Sequence, residues 1–297
     1  DVTLVAGAEV ETNVRGREGV EYMARAAHYE RERGLSKFTF PHLFGRRAWA
    51  YKTAFRLDDR STARVVEKAY RNARRNPFAL HKATTVTLED AATASRRNAE
   101  FLEDERYRPH LRMLDCTAFT DGASCILLAS EAGLKRLGIP PEQCTRILAY
   151  GHTVQALGAE NNPTQLTNVT DAARIAYRDA GMTPEDVQVA EVHDCFSVVE
   201  LMMMEALGFC ALGRADRMLA DGQTEIDGRL PINTGGGLLG FGHPVGATGV
   251  KQILEIWRQM KGQAGDYQMP TPPTVGLTAN LGGDDRTAVV MLHQNVH

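Results

Sequence analysis

The stretch VQVAEVHDCFSVVELMMMEALGF, residues 187–209, decides the fold. Its first part is a short apolar-rich run ending at Asp194, the signature of a strand. Its second part is an apolar helical pattern that stops at Gly208, a residue suited to the left-handed turn after a helix. A strand that runs through a four-residue loop, His193 to Phe196, directly into a helix is the unit from which α/β sheets are built. The methionines in LMMMEAL read as core or dimer contact rather than as a ligand box.

Working outward, the same alternation extends from residue 116 to the end. CTAFTDGASCILLAS, EAGLKRLG, TRILAYG and DAARIAYRDAG precede the stretch; the helix GATGVKQILEIWRQMKG and the strands TVGLTAN and TAVVMLH follow it. Gly138 and Gly181 stand where left-handed caps belong. Strands alternating with helices predict right-handed crossovers and a largely parallel sheet covered on both faces. Asp121 and Gly122 read as a turn entering a strand. Residues 11–115 differ: they are polar, Arg-rich and irregular, with helical patterns at STARVVEKAYRNARRN, where Ser61 is a plausible N-cap, and at LEDAATASRRNAEFL. They read as an inserted lobe, and DVTLVAGAEV at the start reads as a buried strand.

The chain has 297 residues, 43% hydrophobic and 24% charged, with a net charge of −3. That suits a globular chain with a large core and gives no reason to expect nucleic acid or an anionic membrane as main partner. The five cysteines are scattered without CxxC spacing, which argues against a disulfide framework or structural zinc and for a reducing compartment. No apolar run is long enough for a membrane span.

In open α/β sheets, ligands collect where strand ends lead into helix N-termini. Three loops meet that description: HDCF (193–196), FGHPVGATG (241–249) and NLGG (280–283). They offer two imidazoles, a thiol and free backbone N–H groups. Imidazoles and a thiol can move protons near neutral pH, and convergent N–H groups can hold an oxyanion, so the reacting group is expected to be a carbonyl, most readily a thioester. The stretch INTGGGLLGFGHPVGATGV, residues 232–250, has seven glycines around one imidazole, His243, and reads as a backbone that lets a ligand approach closely.

EVHDCFSVVELMMMEALGFC, INTGGGLLGFGHPVGATGVKQ and TANLGGDDRTAVVMLH together resemble the thiolase superfamily, and within it the sterol carrier protein X-type thiolases, over residues 116–297. The resemblance implies an α/β thiolase fold of duplicated βαβαβαββ halves with mixed sheets covered by helices. Residues 1–10 would then end the N-terminal half, 11–115 would form the inserted loop domain, and 116–297 would form the C-terminal half. It implies that His243 takes the proton of a nucleophilic cysteine and donates to the thioester oxygen, that His193 helps form that first oxyanion hole, and that Cys195 is the second acid/base. Gly282 and Asn280 fall at a second oxyanion hole, and Phe196 and Thr117 near the pantetheine arm. The basic stretch around Arg71, Arg74 and Arg75 lies in the part that in thiolases holds the CoA nucleotide. LGGDDRTAV departs from the family's small apolar residues after the glycine.

The activity implied is acyl-CoA:acetyl-CoA acyltransfer, the thiolytic cleavage of 3-ketoacyl-CoA or its reverse, with coenzyme A as co-substrate, no permanently bound cofactor and no metal. A homodimer or higher oligomer is expected, in the cytoplasm of a bacterium or in a eukaryotic peroxisome or mitochondrial matrix. None of the five cysteines stands in the family's nucleophile context, so that thiol is expected from polypeptide preceding Asp1, and the N-terminal half is expected to be incomplete. Two alternatives stay open. One is a steroid side-chain retro-aldolase subunit with a small OB-fold partner, against which His193 argues; the other is a non-catalytic scaffold.

Overall fold

The computed structural model describes residues 1–296. In chain order its elements are β1 (Val2–Glu9), α1 (Gly16–Met23), α2 (Tyr29–Glu32), α3 (Thr39–Phe55), α4 (Asp59–Ala73), α5 (Leu88–Ala92), β2 (Gly122–Ala129), α6 (Glu131–Leu137), β3 (Thr145–Val154), α7 (Thr167–Ala180), β4 (Val189–Val192), α8 (Ser197–Ala206), α9 (Ala215–Ala220), α10 (Thr248–Met260), β5 (Val275–Gly282) and β6 (Thr287–Asn295). β1 and β2 form an antiparallel ribbon, and β3-β6-β5-β4 form a mixed sheet. Mixed sheets with helices packed on them are what the resemblance led one to expect.

The expectation of a largely parallel sheet fails, because only β4 and β5 run parallel. β5 and β6 are instead joined by the four residues 283–286, with Gly283 at φ 63° and Asp285 at φ 58°. Two left-handed residues so close together turn the chain back on itself, which makes an antiparallel hairpin. β3 then pairs antiparallel to β6. The outer edge of β4 is covered by the chain at Ile232 and Asn233, which bridges Ala190 and leaves no open strand edge there.

α8 is buried along its whole length and stands at the centre of the main apolar core, with Met202, Met203 and Met204 all sealed from solvent. The methionine stripe is core. α3 and α4 pack into that same core. Helix α4 starts earlier than the sequence suggested: Asp58, not Ser61, is the N-cap, its carboxylate accepting from the Arg60 N–H at 3.0 Å. α5 is much shorter than its pattern, because the Asn98 side chain turns in and donates to the carbonyls of Asp90, Ala91 and Thr93, ending the helix there. β1 is not the buried strand expected. Leu4 is 65% exposed and its ribbon neighbour Leu127 58%. The ribbon's other face rests on α10 and on the loop before it, so closely that a Cβ on Gly7 would lie 2.1 Å from the Gly246 carbonyl oxygen.

The glycines of residues 235–246 are explained mainly by this packing. A Cβ on Gly240 would lie 2.3 Å from the Ala69 carbonyl oxygen of α4, and one on Gly237 would lie 2.2 Å from a carboxylate oxygen of Asp194. Their first purpose is to seat one loop against α4, β1 and the HDCF loop, rather than to admit a ligand. Gly237 also has φ 61°. Gly237→Ala should therefore lower stability by about 3 kcal/mol, the sum of overpacking and left-handed strain, read as a fall in the urea midpoint with an unchanged m-value.

Candidate active site

The three loops meet at one end of the mixed sheet. β4 delivers His193 to Phe196, the end of β5 delivers Asn280 to Gly282, and the glycine loop delivers His243 just before α10. His193, Cys195, Phe196, His243, Asn280, Gly282 and Thr117 all line one cleft of about 1830 Å³. The structure thus brings these seven residues together in one cleft, whereas Arg71, Arg74 and Arg75 do not line it. The cleft's further walls are mostly apolar, with Phe38, Phe40, Phe101 and Phe119 among them, but Glu9, Glu11, Arg17 and Lys37 also line it.

The two imidazoles stand edge to face, their centroids 5.0 Å apart and their planes at 90°. Each is less than a tenth exposed. His243 Nδ1 lies 2.7 Å from the hydroxyl oxygen of Thr248, in the first turn of α10. That hydroxyl donates its only proton to the Pro244 carbonyl at 3.1 Å. With the hydroxyl proton on that carbonyl, the oxygen accepts from Nδ1–H and the lone pair of His243 lies on Nε2. Asn280 stands between His193 and α10, with its amide oxygen 3.2 Å from His193 Nδ1 and its amide nitrogen against Gln252 Oε1. Burial holds both rings neutral: it lowers His193 to about 4 and puts His243 well below the usual imidazole value, the neighbouring His193 adding to the second effect.

Cys195 lies in the cleft wall and in the edge of the main core. Burial, reinforced by the Asp194 carboxylate, pushes its thiol well above the ordinary value, so it stays protonated at neutral pH. Such a thiol can give a proton but is a poor resting nucleophile. Cys116 also lines the cleft; its thiol faces the Arg112 carbonyl at 3.4 Å and is likewise raised by burial. Phe196 stacks on Phe44 at 4.6 Å, and the Thr117 N–H donates to the Cys195 carbonyl at 3.1 Å, which fixes the wall on which Cys195 sits.

Several residues that hold the site went unassigned in the sequence. Asp194 accepts from the N–H groups of Leu238 at 2.6 Å and Leu239 at 3.4 Å, tying the HDCF loop to the glycine loop. Thr248 and Gln252 lie four apart on one face of α10, each reaching one of the two histidine systems; the i, i+4 spacing in TGVKQ is the only signal the sequence carries for them. The departure in LGGDDR also has a structural reason. Asp284 is ion-paired with fully buried Arg47 of α3 and with Arg46, while the Asp285 carboxylate accepts from the N–H groups of Asn168 and Val169 at the start of α7. The third loop is thus held by charges where apolar residues were expected. Among the basic residues, Arg71 is committed to Glu67 and Glu225 and is no free phosphate ligand, whereas Arg74 and Arg75 are exposed. Among the described residues no group of His, Cys, Asp and Glu side chains could hold a metal ion, and no helix is long and apolar enough to cross a membrane.

Residues 149–295 match the Thiolase C-terminal domain-like family. An acetyl-CoA acetyltransferase of Methanothermobacter thermautotrophicus is 33% identical over 290 residues, 98% of this chain and 72% of that protein. Human sterol carrier protein 2 is 32% identical over 247 residues, 82% of this chain and 43% of that protein. Among solved structures, the Ltp2-ChsH2(DUF35) aldolase superposes with a TM-score of 0.82 at 25% identity, covering 100% of this chain and 73% of that one. The chain belongs to the thiolase family.

Two expectations follow. Thr248→Val removes the acceptor that keeps the proton on His243 Nδ1, and NMR of labelled histidine should show a mixed tautomer at His243 in place of a single Nδ1–H form. The depressed imidazoles also link to stability. Between about pH 6.5 and pH 4 the unfolded chain binds a proton at His193 that the folded chain does not, so folding weakens as pH falls, by about 1.4 kcal/mol per pH unit for this ring. His193→Gln should flatten the decline of the urea midpoint over that window relative to the parent protein.

Proposed function

We propose that this chain carries the acid–base half of an acyl-CoA:acetyl-CoA acyltransferase of sterol carrier type, which cleaves 3-ketoacyl-CoA with free coenzyme A or runs the reverse condensation. The observation that supports it most is the edge-to-face pair of neutral imidazoles in a mostly apolar cleft that Cys195, its thiol kept protonated by burial, also lines. In this reading His243 Nε2, the nitrogen with the free lone pair, takes the proton of a cysteine thiol whose sulfur attacks the C3 carbonyl. The resulting Nε2–H and His193 hold the thioester oxygen as the C2–C3 bond breaks and its electrons pass into the acetyl-CoA enolate. The Cys195 thiol gives its proton to C2; because its pKa is raised, the thiolate left behind is basic enough to take the proton of the incoming coenzyme A thiol. That coenzyme A sulfur then attacks the acyl-enzyme near the N–H of Gly282, and the departing enzyme sulfur recovers its proton from His243. Atoms and charges return to their starting places, and coenzyme A is a co-substrate.

None of the five cysteines fits the attacking role: Cys116 and Cys195 are raised by burial, and Cys125, Cys144 and Cys210 do not line the cleft. The reading therefore requires an attacking thiol that these five cysteines do not supply. A homodimer, an aqueous compartment and a CoA nucleotide site near Arg74 and Arg75 are parts of the same proposal, as is the division into residues 1–10, 11–115 and 116–297.

A second reading has one observation in its favour, the superposition on the Ltp2-ChsH2(DUF35) aldolase. Under it the chain would cleave a CoA ester by retro-aldol chemistry beside a small OB-fold protein. Retaining His193 in the cleft speaks for the first reading. Loss of a 3-ketoacyl-CoA, followed in the native full-length protein with and without free coenzyme A, separates the two. Strict dependence on coenzyme A is expected, and cleavage without it would favour the aldolase. His243→Ala should lower kcat by about 10³-fold or more with the fold intact, the loss expected when a proton acceptor and an oxyanion donor go together; near-normal turnover would remove His243 from the mechanism.

A further inference from the structure

His193 can donate to a thioester oxygen only if its proton sits on Nε2, and the groups behind the ring decide whether it does. Those groups are Asn280 and Gln252. With the Asn280 oxygen toward His193 Nδ1 and its nitrogen toward Gln252 Oε1, the neutral ring must carry its proton on Nδ1 and present a bare lone pair to the cleft. The same orientation leaves Gln252 Nε2 buried with no partner, although the residue is completely sealed from solvent. A buried amide NH2 without an acceptor is among the costlier arrangements a protein can hold.

An amide's oxygen and nitrogen fill the same volume, so a half-turn of both side chains changes no packing. After that turn Gln252 Nε2–H donates to Asn280 Oδ1, Asn280 Nδ2–H donates to His193 Nδ1, and the imidazole proton is left on Nε2, pointing into the cleft. The unpartnered group is then a carbonyl oxygen instead of an NH2, the less costly of the two. The neighbouring histidine is set by the same helix in the opposite sense, because Thr248 keeps the His243 proton on Nδ1.

We propose that Gln252 and Asn280 form a two-amide relay, anchored on α10, that holds the proton of His193 on Nε2 and so makes this ring a hydrogen-bond donor at neutral pH without charging it. Gln252 and Asn280 are positioning residues in this scheme: they act through His193. Thr248 and Gln252, one turn apart on α10, give the two imidazoles opposite tautomers, an acceptor on His243 and a donor on His193. The proposal rests on the acyltransferase reading only for the use made of that donor; the tautomer itself is a property of the ligand-free protein.

The test is long-range ¹H–¹⁵N correlation on the native full-length protein labelled at histidine, with the His193 signals identified by their absence from His193→Gln, at a pH where the ring is neutral. The parent protein should show His193 protonated on Nε2 and His243 on Nδ1. Asn280→Asp presents acceptors only and should move the His193 proton to Nδ1; Gln252→Met, close in volume and without a donor, should replace the single Nε2–H form by a mixture. A parent protein with His193 protonated on Nδ1, or an unmixed Nε2–H form in either variant, would overturn the relay. In parallel, thiolysis by Asn280→Asp should lose about 100-fold in kcat with KM little changed, the loss typical of one oxyanion donor. A variant whose tautomer inverts while kcat holds would leave the relay standing and remove His193 from the acyltransferase reading.

Discussion

The site depends on one buried carboxylate. Asp194, fully enclosed, accepts two backbone N–H groups from the glycine loop and so fixes the position of His243 relative to His193 and Cys195, its own neighbours in the chain. The arrangement has a cost: burial, with Glu200 close by, raises the Asp194 carboxyl far above the usual carboxylate range. It persists because every element around it is matched to it. Gly237 has no Cβ that would strike the carboxylate, and β4 runs parallel to β5 and ends at the loop that carries the aspartate.

Charged and amide groups elsewhere in the interior follow the same logic of pairing after desolvation. Lys68 of α4 reaches Glu200 of α8 at 2.6 Å and the Ile232 carbonyl at 3.2 Å, while Asn233, held at φ 56°, donates to the other oxygen of Glu200 and accepts from the Val192 N–H. These contacts join α4, α8, β4 and the start of the glycine loop. Beneath the site, Lys251 pairs with Glu191 at 3.3 Å and lies 4.4 Å over the Phe241 ring. Breaking such a pair on one side leaves an uncompensated charge in the interior, so each pair ties together the elements it connects.

Much of this was legible in the sequence where the signal is local. The strand–loop–helix unit at 187–209, the left-handed caps at Gly138, Gly181 and Gly208, and the helix ahead of which His243 sits are all encoded within a few residues, because periodicity and caps act over one or two turns. The same locality misled at 88–102, where an apparent helix stops because Asn98 satisfies its last carbonyls, and at 58–61, where Asp58 outcompetes Ser61 as the cap.

By itself the sequence determined the fold class and, through short motifs that resemble those of thiolases, the family and seven of the residues that line the cleft. Tertiary structure alone decided the antiparallel return of β6, the exposure of β1 on one face, and the seating of the glycines against α4 and Asp194. It also decided that His243 Nδ1 meets the Thr248 hydroxyl, because Thr248 reaches that ring only after α10 has formed and docked on the sheet. Partners such as Arg47 and Asp284, or Asn280 and Gln252, stand far apart in the chain, and no local pattern records a contact that exists only once the core has closed.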